Sequence, residues 1–188
     1  MSSELRSSLR RLIADRRSAR LAATLPKDLS FWDTQSPLPG KVLLDTTVYV
    51  DILQRRFPIE ADRFLRTADA WHSPITAAEM ATTCTLLNPD HPGTAGVISV
   101  IDQSLKDRPP QRTLVPDQQT WIDAGLLCGL LVRIQGLTKT DRRRLLNDAL
   151  LLETARKHGI AVLTRNINDF DMLQQLEPSA QVLFYEPA

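Results

Sequence analysis

Short apolar runs alternate along this chain with longer segments in which apolar residues recur every three or four positions. A short uninterrupted run predicts a strand covered on both faces, and the longer period predicts an amphipathic helix. Strands are predicted near residues 42–44, 70–72, 113–115, 160–163 and 181–185, and helices at residues 3–23, 46–55, 59–67, 97–105 and 118–135, with further helices beginning at Pro74 and ending at residues 157–159. This alternation predicts an α/β domain of three layers, α/β/α, with a central parallel sheet.

One predicted helix carries an acidic residue on its apolar face. The three- and four-residue spacing places Asp148 in one stripe with Leu145, Leu151, Leu152 and Ala155. Burying an unpaired carboxylate is costly, so Asp148 must be paired, hydrated at the start of the helix, or bound to a cation. A basic last turn and Gly159 end this helix, directly before the strand at residues 160–163.

Acidic and polar residues recur where predicted strands end and helices begin. They are Asp45 after the strand at residues 42–44, Glu79 near the start of the helix that Ser73 and Pro74 begin, and Thr164, Asn166 and Asp169 after the strand at residues 160–163. In a parallel α/β sheet, sites lie beyond the carboxyl ends of the strands, near a topological switch point. Oxygen ligands without histidine or thiolate favour Mg²⁺ or Mn²⁺, and such a site typically makes a hydroxide nucleophile and stabilises phosphoryl transfer.

Each acid also has a purely structural alternative. Asp148 could cap its own helix, and Asp169 could cap a short helix beginning DFDML. Thr76 and Glu79 have the spacing of a capping box, in which the glutamate bonds back to the helix start. The repetition of acids in comparable places favours one shared site over several separate caps.

Composition predicts one main domain with a basic arm. With 188 residues and 43% apolar content, the chain can bury a sizeable core without disulfides or a structural metal. Residues 1–20 contain six arginines and two acids, a net charge of +4 in a chain of net charge +1, so the remainder carries −3. We expect the arm to pack on the body with its arginine-rich face in solvent, rather than to contact RNA or a membrane.

The remaining segments add no further chemistry. Residues 25–40 contain three prolines and are predicted to be a linker held by Phe31 and Trp32. Cys84 and Cys128 lack metal-ligand spacing and are predicted to be packing residues. The longest apolar run, residues 126–132, is too short to span a bilayer, and the N-terminus lacks a signal-peptide region, so a cytoplasmic protein without a membrane segment is predicted.

Three motifs together resemble PIN-domain ribonucleases, most closely the VapC-type toxins of bacterial toxin–antitoxin pairs. The motifs are VLLDTTVYVDIL, SPITAAEM and NDALLLETARKHGIAVLTRNINDF, which occur in family order and at family-like spacing. The similarity covers about residues 41–188, so a PIN domain is expected there. Residues 1–40 have no counterpart in the usual compact toxin and are treated as an N-terminal helical extension.

The resemblance implies a ligand set and a substrate. It implies metal ligands at Asp45, Glu79 and Asp148, a supporting hydroxyl at Thr46, and a polar group from the loop that begins at Thr164. Many relatives carry an aspartate where this chain has Asn166, which leaves two alternatives, a missing fourth carboxylate or its replacement by Asp169. The implied substrate is RNA, hydrolysed to leave a 5′-phosphate.

We therefore expect a Mg²⁺- or Mn²⁺-dependent endoribonuclease that acts as a toxin. The resemblance also implies a homodimer and a cognate antitoxin that presents a basic side chain to the carboxylates. The alternatives are a housekeeping RNA-processing nuclease and a degenerate PIN domain that binds RNA or protein without catalysis; retention of Asp45, Glu79 and Asp148 favours activity. A run of arginines directly before the Asp148 motif is predicted to hold the RNA backbone, namely Arg142, Arg143 and Arg144.

Overall fold

A computed structural model describes residues 3–13, 19–34 and 39–188. In these ranges the helices are Ser3–Ile13 (α1), Thr46–Leu53 (α2), Ile59–Thr67 (α3), Pro74–Leu86 (α4), Thr94–Lys106 (α5), Gln118–Gln135 (α6), Lys139–His158 (α7) and Ile167–Leu176 (α8). The strands are Lys41–Leu44 (β1), Asp69–Trp71 (β2), Ala161–Thr164 (β3) and Gln181–Phe184 (β4). Short 3₁₀ turns lie at Pro26–Asp28, Trp32–Thr34 and Pro110–Arg112.

The strands form one parallel sheet in the order β2-β1-β3-β4. Leu43 of β1 lies opposite Trp71 of β2 on one side and Val162 of β3 on the other. The chain passes from β1 outward to β2 and then crosses to the other side of β1 to form β3. The topological switch point therefore lies between β1 and β3, where their carboxyl ends meet.

Both faces of the sheet are covered, because β1 sends alternate side chains to opposite sides. Leu43 packs in a cluster with apolar residues of α6, α7 and α8. Val42 and Leu44 pack in a second cluster with residues of α2, α3, α4 and α5. This arrangement confirms the predicted α/β/α architecture with a central parallel sheet.

Helix α7 begins well before its acidic stripe. Thr138 caps it and forms a capping box with Asp141, whose carboxylate accepts the Thr138 backbone N–H at 3.0 Å. Asp148 therefore lies in the middle of α7, and the interpretation of Asp148 as a helix cap is wrong. The other end agrees with the prediction, since Gly159 adopts the left-handed conformation (φ 64°) that ends a helix.

The structural alternative for Asp169 is wrong as well. Asn166 is the N-cap of α8 and accepts the backbone N–H of Asp169 at 3.4 Å. Asp169 is thus a residue of the first turn, and its carboxylate is not used to begin the helix.

The predicted strand at residues 113–115 does not form. Thr113 makes a single parallel bridge to His72, and the chain around it is otherwise irregular. Pro109, Pro110 and Pro116 flank the bridge. Proline has no backbone N–H to give to a ladder, so this segment cannot extend into a strand.

The N-terminal helix is shorter than predicted. Helix α1 covers Ser3–Ile13 and packs on α6, residues 14–18 lie outside the described ranges, and residues 19–25 are not helical. The backbone N–H of Thr24 donates to the buried carboxylate of Asp171 at 2.8 Å, and the Ala22 carbonyl accepts from Gln175 at 2.9 Å. These contacts to α8 favour an extended path because a helix would use the same backbone groups internally.

The segment at residues 25–40, of which 35–38 are outside the described part, is held as predicted. Phe31 makes a parallel bridge to Phe184, and the ring of Trp32 stacks on Phe64 with 6.1 Å between centroids. Cys128 is buried and Cys84 is half-buried, both as free thiols, which confirms them as packing residues. No helix within the described ranges is long and apolar enough to cross a membrane.

One arginine of α1 contacts a buried carboxylate cluster, although 31% of its side chain is exposed. Arg11 lies 3.1 Å from Asp123 and 3.6 Å from Glu153, and it also pairs with Glu177. Arg156 contacts the same cluster, at 2.6 Å from Glu153. The expectation of a wholly solvated arginine face is wrong at this position, because the body contains acids that only a cation can neutralise.

We expect Arg11→Gln to destabilise the protein strongly. The substitution leaves Asp123, Glu153 and Glu177 with Arg156 alone, and uncompensated buried charges are costly. The expected loss in free energy of unfolding is about 3 kcal/mol, at the low end for a buried pair because 31% of the Arg11 side chain is exposed. Urea unfolding measures it. Arg10→Gln on the exposed side of α1 is the matched control, and equal midpoints for both variants would show that the cluster does not need Arg11.

Candidate active site

The first acid lies at the switch point itself. Asp45 follows β1, caps α2, and is only 3% exposed. Its Oδ2 accepts hydrogen bonds from the hydroxyl of Thr164, at the end of β3, at 2.7 Å and from the hydroxyl of Thr47 at 2.6 Å. Burial raises the pKa of Asp45, while these hydrogen bonds act in the opposite direction.

The second acid comes from α4, and its structural alternative is wrong. Ser73 caps this helix and Pro74 is its first residue, so Thr76 does not begin the helix and forms no capping box with Glu79. The Glu79 carboxylate instead accepts hydrogen bonds from Asn147 of α7, at 2.7 Å, and from the hydroxyl of Thr46. Glu79 therefore faces the start of α2 and the middle of α7.

Asp148 and Asp169 share an amide donor. The Asn166 Nδ2 lies 3.3 Å from Asp148 Oδ2 and 2.9 Å from Asp169 Oδ2. Burial raises the pKa of Asp148 well above its usual value, and the negative charges of Asp45, Asp169 and Glu79 raise it further. Asp148 is thus close enough to Asp45, Asp169 and Glu79 for their charges to disfavour its ionised form.

Of the three consecutive arginines, Arg144 reaches the carboxylate site. Its guanidinium lies 2.9 Å from Asp169 Oδ2 and 3.3 Å from Oδ1, and 64% of its side chain is exposed. Arg144 also lowers the pKa of Asp148 slightly against the larger effect of burial. Arg142 is exposed, and the side chain of Arg143 lies outside what the structure describes.

The donor set fits a hard cation, although each carboxylate is turned toward a protein donor. Within residues 3–13, 19–34 and 39–188, no three His, Cys, Asp or Glu side chains are arranged around one point as metal ligands. The carboxylates instead bind Thr, Asn and Arg groups. Burial first, and then the neighbouring carboxylates, raise the pKa of Asp148, and a divalent cation with oxygen ligands would stabilise its ionised form.

Two contacting residues were not predicted. Thr47 donates to Asp45, and Asn147 donates to Glu79. A hydroxyl two residues after a capping aspartate was an available signal for Thr47. Asn147 directly precedes Asp148 and lacks a periodic signal, so its role becomes visible only when α4 and α7 are placed side by side.

A parallel α/β domain that collects carboxylates at its switch point belongs to the class of proteins suited to metal-assisted chemistry on phosphates. Within that class, a family profile described as the PIN domain matches residues 42–174, and the chain belongs to the PIN domain family. No curated protein sequence matches the chain significantly.

Solved structures of similar fold include two VapBC proteins, one of them described as a member of a family of toxin–antitoxin systems, and FitAcB. VapBC2 from Rickettsia felis, bound to a promoter DNA fragment, has a similar chain with a TM-score of 0.56 and 15% identity, covering 78% of this chain and 99% of that one. FitAcB from Neisseria gonorrhoeae has a TM-score of 0.55 and 21% identity, and the match covers 76% of this chain and 96% of that one. VapBC-5 from Mycobacterium tuberculosis has a TM-score of 0.55 and 17% identity, and the match covers 78% of this chain and 100% of that one. At these identities the likeness concerns the fold.

The raised pKa of Asp148 predicts an unusual dependence of stability on pH. A carboxyl group whose pKa is higher in the folded state destabilises the protein once ionised, so metal-free stability falls as the pH rises from about 4 through the folded-state pKa. Asp148→Asn removes this effect. With chelator present, the variant should melt at or above the parental temperature at pH 7 to 8, and the difference should vanish near pH 4.

The matched control is Asp141→Asn on the same helix. Hydrogen bonds from Thr138 lower the pKa of Asp141, so this carboxylate stabilises the protein above the unfolded-state pKa and loses its effect as the pH falls. Its variant should melt below the parent at neutral pH, opposite in sign to Asp148→Asn. If Asp148→Asn is the less stable protein at every pH, the carboxylates do not repel one another.

Proposed function

We propose that this protein is a metal-dependent endoribonuclease, and that it acts in the cytoplasm as the toxin of a toxin–antitoxin pair. The supporting observation is the burial of Asp148 within electrostatic range of Asp45, Asp169 and Glu79 at the switch point of a PIN-family chain. PIN domains are generally nucleases. An acidic cluster of this kind has no structural purpose that neutral residues would not serve better.

The metal ligands we propose are Asp45, Glu79 and Asp148, with Asp169 as a fourth carboxylate. Hard oxygen donors suit Mg²⁺ or Mn²⁺. When bound, such a cation would supply a hydroxide nucleophile at neutral pH and neutralise charge on the phosphate oxygens.

The surrounding polar residues orient these carboxylates. Thr164 and Thr47 favour the ionised form of Asp45 against its burial, since their hydroxyls donate to it. Thr46 and Asn147 hold Glu79 from two different helices. Neutral donors fix the positions of the oxygens without competing with a cation for charge.

Asn166 lies between Asp148 and Asp169 and orients both carboxylates. Its amide contacts both Asp148 and Asp169, where an aspartate would add a further negative charge. Its Nδ2 group can donate to both carboxylates at once, so the two are held at one amide and Asp169 keeps its place beside Arg144. We therefore infer that Asp169 takes the place of the carboxylate that many relatives carry at position 166.

The partners of the proposed toxin are RNA, an antitoxin and a second copy of the chain. Arg144 lies at the rim of the site, and with Arg142 and Arg143 it would contact the RNA backbone. The solved structures of similar fold include a member of the VapBC family of toxin–antitoxin systems, which supports an antitoxin partner. We propose that this partner presents a basic side chain to the carboxylates. We also propose that two copies of the chain form a homodimer.

Asp148→Asn should reduce RNA cleavage by at least about 100-fold, because it removes a proposed ligand of the cation that would neutralise charge on the phosphate in the transition state. Mg²⁺ should raise the melting temperature of the parent more than that of the variant, since a ligand stabilises the state that binds it. Cleavage of total RNA and thermal melts with Mg²⁺ or chelator measure both effects, and Asp102→Asn, on the exposed face of α5, is the control.

Three results would contradict parts of the proposal. Parental cleavage by Asp148→Asn would remove the ligand assignment. RNA binding without cleavage by the parent would favour a non-catalytic PIN domain. Expression that does not arrest growth, or arrest that a neighbouring open reading frame does not relieve, would favour a housekeeping nuclease over a toxin.

Asn166→Asp should separate metal affinity from stability. The added carboxylate increases the repulsion around Asp148, so the metal-free protein should melt at a lower temperature than the parent. A fifth carboxylate should also strengthen Mg²⁺ binding and enlarge the Mg²⁺-induced rise in melting temperature. Asn168→Asp, an exposed position of the same turn, is the control. An unchanged response to Mg²⁺ would place residue 166 outside the metal site.

A further inference from the structure

A cavity of about 670 Å³ lies at the carboxyl end of β2, beside the carboxylate site. Its walls include Leu44, directly before Asp45, and the side chains of Tyr49, His72 and Arg108. Burial is the main cause of the raised pKa of Tyr49, and the charge of Asp45 adds to it. The cavity and the carboxylate site therefore influence each other electrostatically. The cavity lies within electrostatic range of Asp45, a proposed metal ligand.

Arg108 is held in this cavity by neutral groups. Its guanidinium carbon lies 4.2 Å from the centroid of the Tyr49 ring, and its nitrogens donate to the Thr76 hydroxyl at 3.2 Å and the Met80 sulfur at 2.8 Å. Its Nε is buried without a hydrogen-bond partner. The Tyr49 hydroxyl is itself fixed by a 2.6 Å hydrogen bond to Nδ1 of His72, so the ring beneath the guanidinium has a fixed position.

Arg108 differs in this respect from comparable arginines of the chain. Within the described ranges, no carboxylate lies within ion-pair distance of Arg108. The partly buried guanidinium groups of Arg56 and Arg165 are both paired with Asp51, at 3.1 and 2.9 Å, and Arg156 is paired with Glu153. A partly buried cation without an anion is costly, which makes an absent anionic ligand the natural partner.

The neighbouring titratable groups do not neutralise this charge. Burial lowers the pKa of His72 to about 4, with the positive charges of Arg108 and Arg112 contributing, so His72 is neutral at physiological pH. Arg112 is paired with Asp69 at 2.9 Å. Asp107, on the cavity wall, accepts a hydrogen bond from Gln103 at 2.7 Å rather than a bond from Arg108.

We propose that this cavity is a phosphate subsite for the RNA strand, in which Arg108 binds the backbone phosphate of a nucleotide adjacent to the scissile bond. The inference rests on the proposed ribonuclease function. Thr76, which fixes Arg108, lies one turn before Glu79 on α4, a rise of about 5 Å. The carboxylates repel a polyanion, so a strand that reaches them needs cations directly beside them. A guanidinium provides the forked donors that suit phosphate.

The test uses two variants and a control in the full-length protein. Arg108→Gln removes the cation, and Ser104→Glu adds a carboxylate to the wall of the same cavity. Arg66→Gln on α3 is the control, since Arg66 is 75% exposed and remote from the cavity. Each protein is titrated against a fluorescent single-stranded oligoribonucleotide with chelator present at several salt concentrations, and its cleavage kinetics are measured with Mg²⁺.

Both cavity variants should bind the oligoribonucleotide about tenfold more weakly, the effect of losing one charge-assisted hydrogen bond. The slope of log affinity against log salt should fall by about 0.7 in Arg108→Gln, the value for one phosphate contact in a single strand. KM should rise with kcat little changed, because Arg108 does not contact the reacting phosphate. Ser104→Glu should not melt below the parent, since it supplies an anion for Arg108 without removing the contacts of Arg108 to Thr76, Met80 and Tyr49. Arg66→Gln should behave as the parent.

The outcomes distinguish this inference from the proposed function. Parental affinity and salt slope in both cavity variants, with RNA cleavage intact, would overturn the phosphate subsite and leave the ribonuclease proposal standing. A parent that neither binds nor cleaves RNA would remove both. If the variants lose a co-purifying protein partner while their RNA affinity and salt slope stay parental, the cavity binds an acidic segment of that partner and the RNA assignment is wrong. Should Arg108→Gln fail to fold, Ser104→Glu alone decides.

Discussion

The whole site depends on the burial of like charges at the carboxyl end of the sheet. Asp45 and Asp148 are 3% and 7% exposed, and the hydroxyl and amide groups of Thr47, Thr164 and Asn166 that reach them carry no charge. Neutral donors reduce the cost of desolvation but leave the repulsion between carboxylates in place. The fold thus holds an arrangement that a cation or a proton relieves, and the helices around it must be packed well enough to maintain it.

The elements around the switch point could be predicted because their signals are local. Strands β1 and β3 are short apolar runs that end in polar residues, and parallel strands place those ends at one edge. The 2.7 Å hydrogen bond between Thr164 and Asp45 joins residues 119 positions apart, yet follows from two local patterns. The role of Glu79 was ambiguous because a capping box with Thr76 has the same spacing as the proposed site residue requires. Only the observed start of α4 at Pro74 separates the capping role from a role in the site.

The features that could not be predicted depend on contacts between distant segments. Arg11 lies in an arginine-rich stretch that is typical of a solvated helix face, but α6, α7 and the segment after α8 bring three carboxylates to it. Residues 113–115 have the composition of a strand, while the flanking prolines prevent the ladder. At Arg11 the tertiary contacts decided the outcome, since propensity is a weak guide where packing competes, whereas at residues 113–115 the prolines on either side of the apolar run did.

Arg11 and Arg108 place the same side chain in opposite electrostatic settings. Arg11 meets more carboxylates than it can neutralise, so its charge is used entirely within the protein and ties the N-terminal helix to the body. Arg108 meets a hydroxyl, a thioether and an aromatic ring, which orient a guanidinium without reducing its charge. Orientation without neutralisation is the condition for binding an external anion strongly, because no internal ion pair has to be broken first. Arg144, paired with Asp169, lacks that advantage.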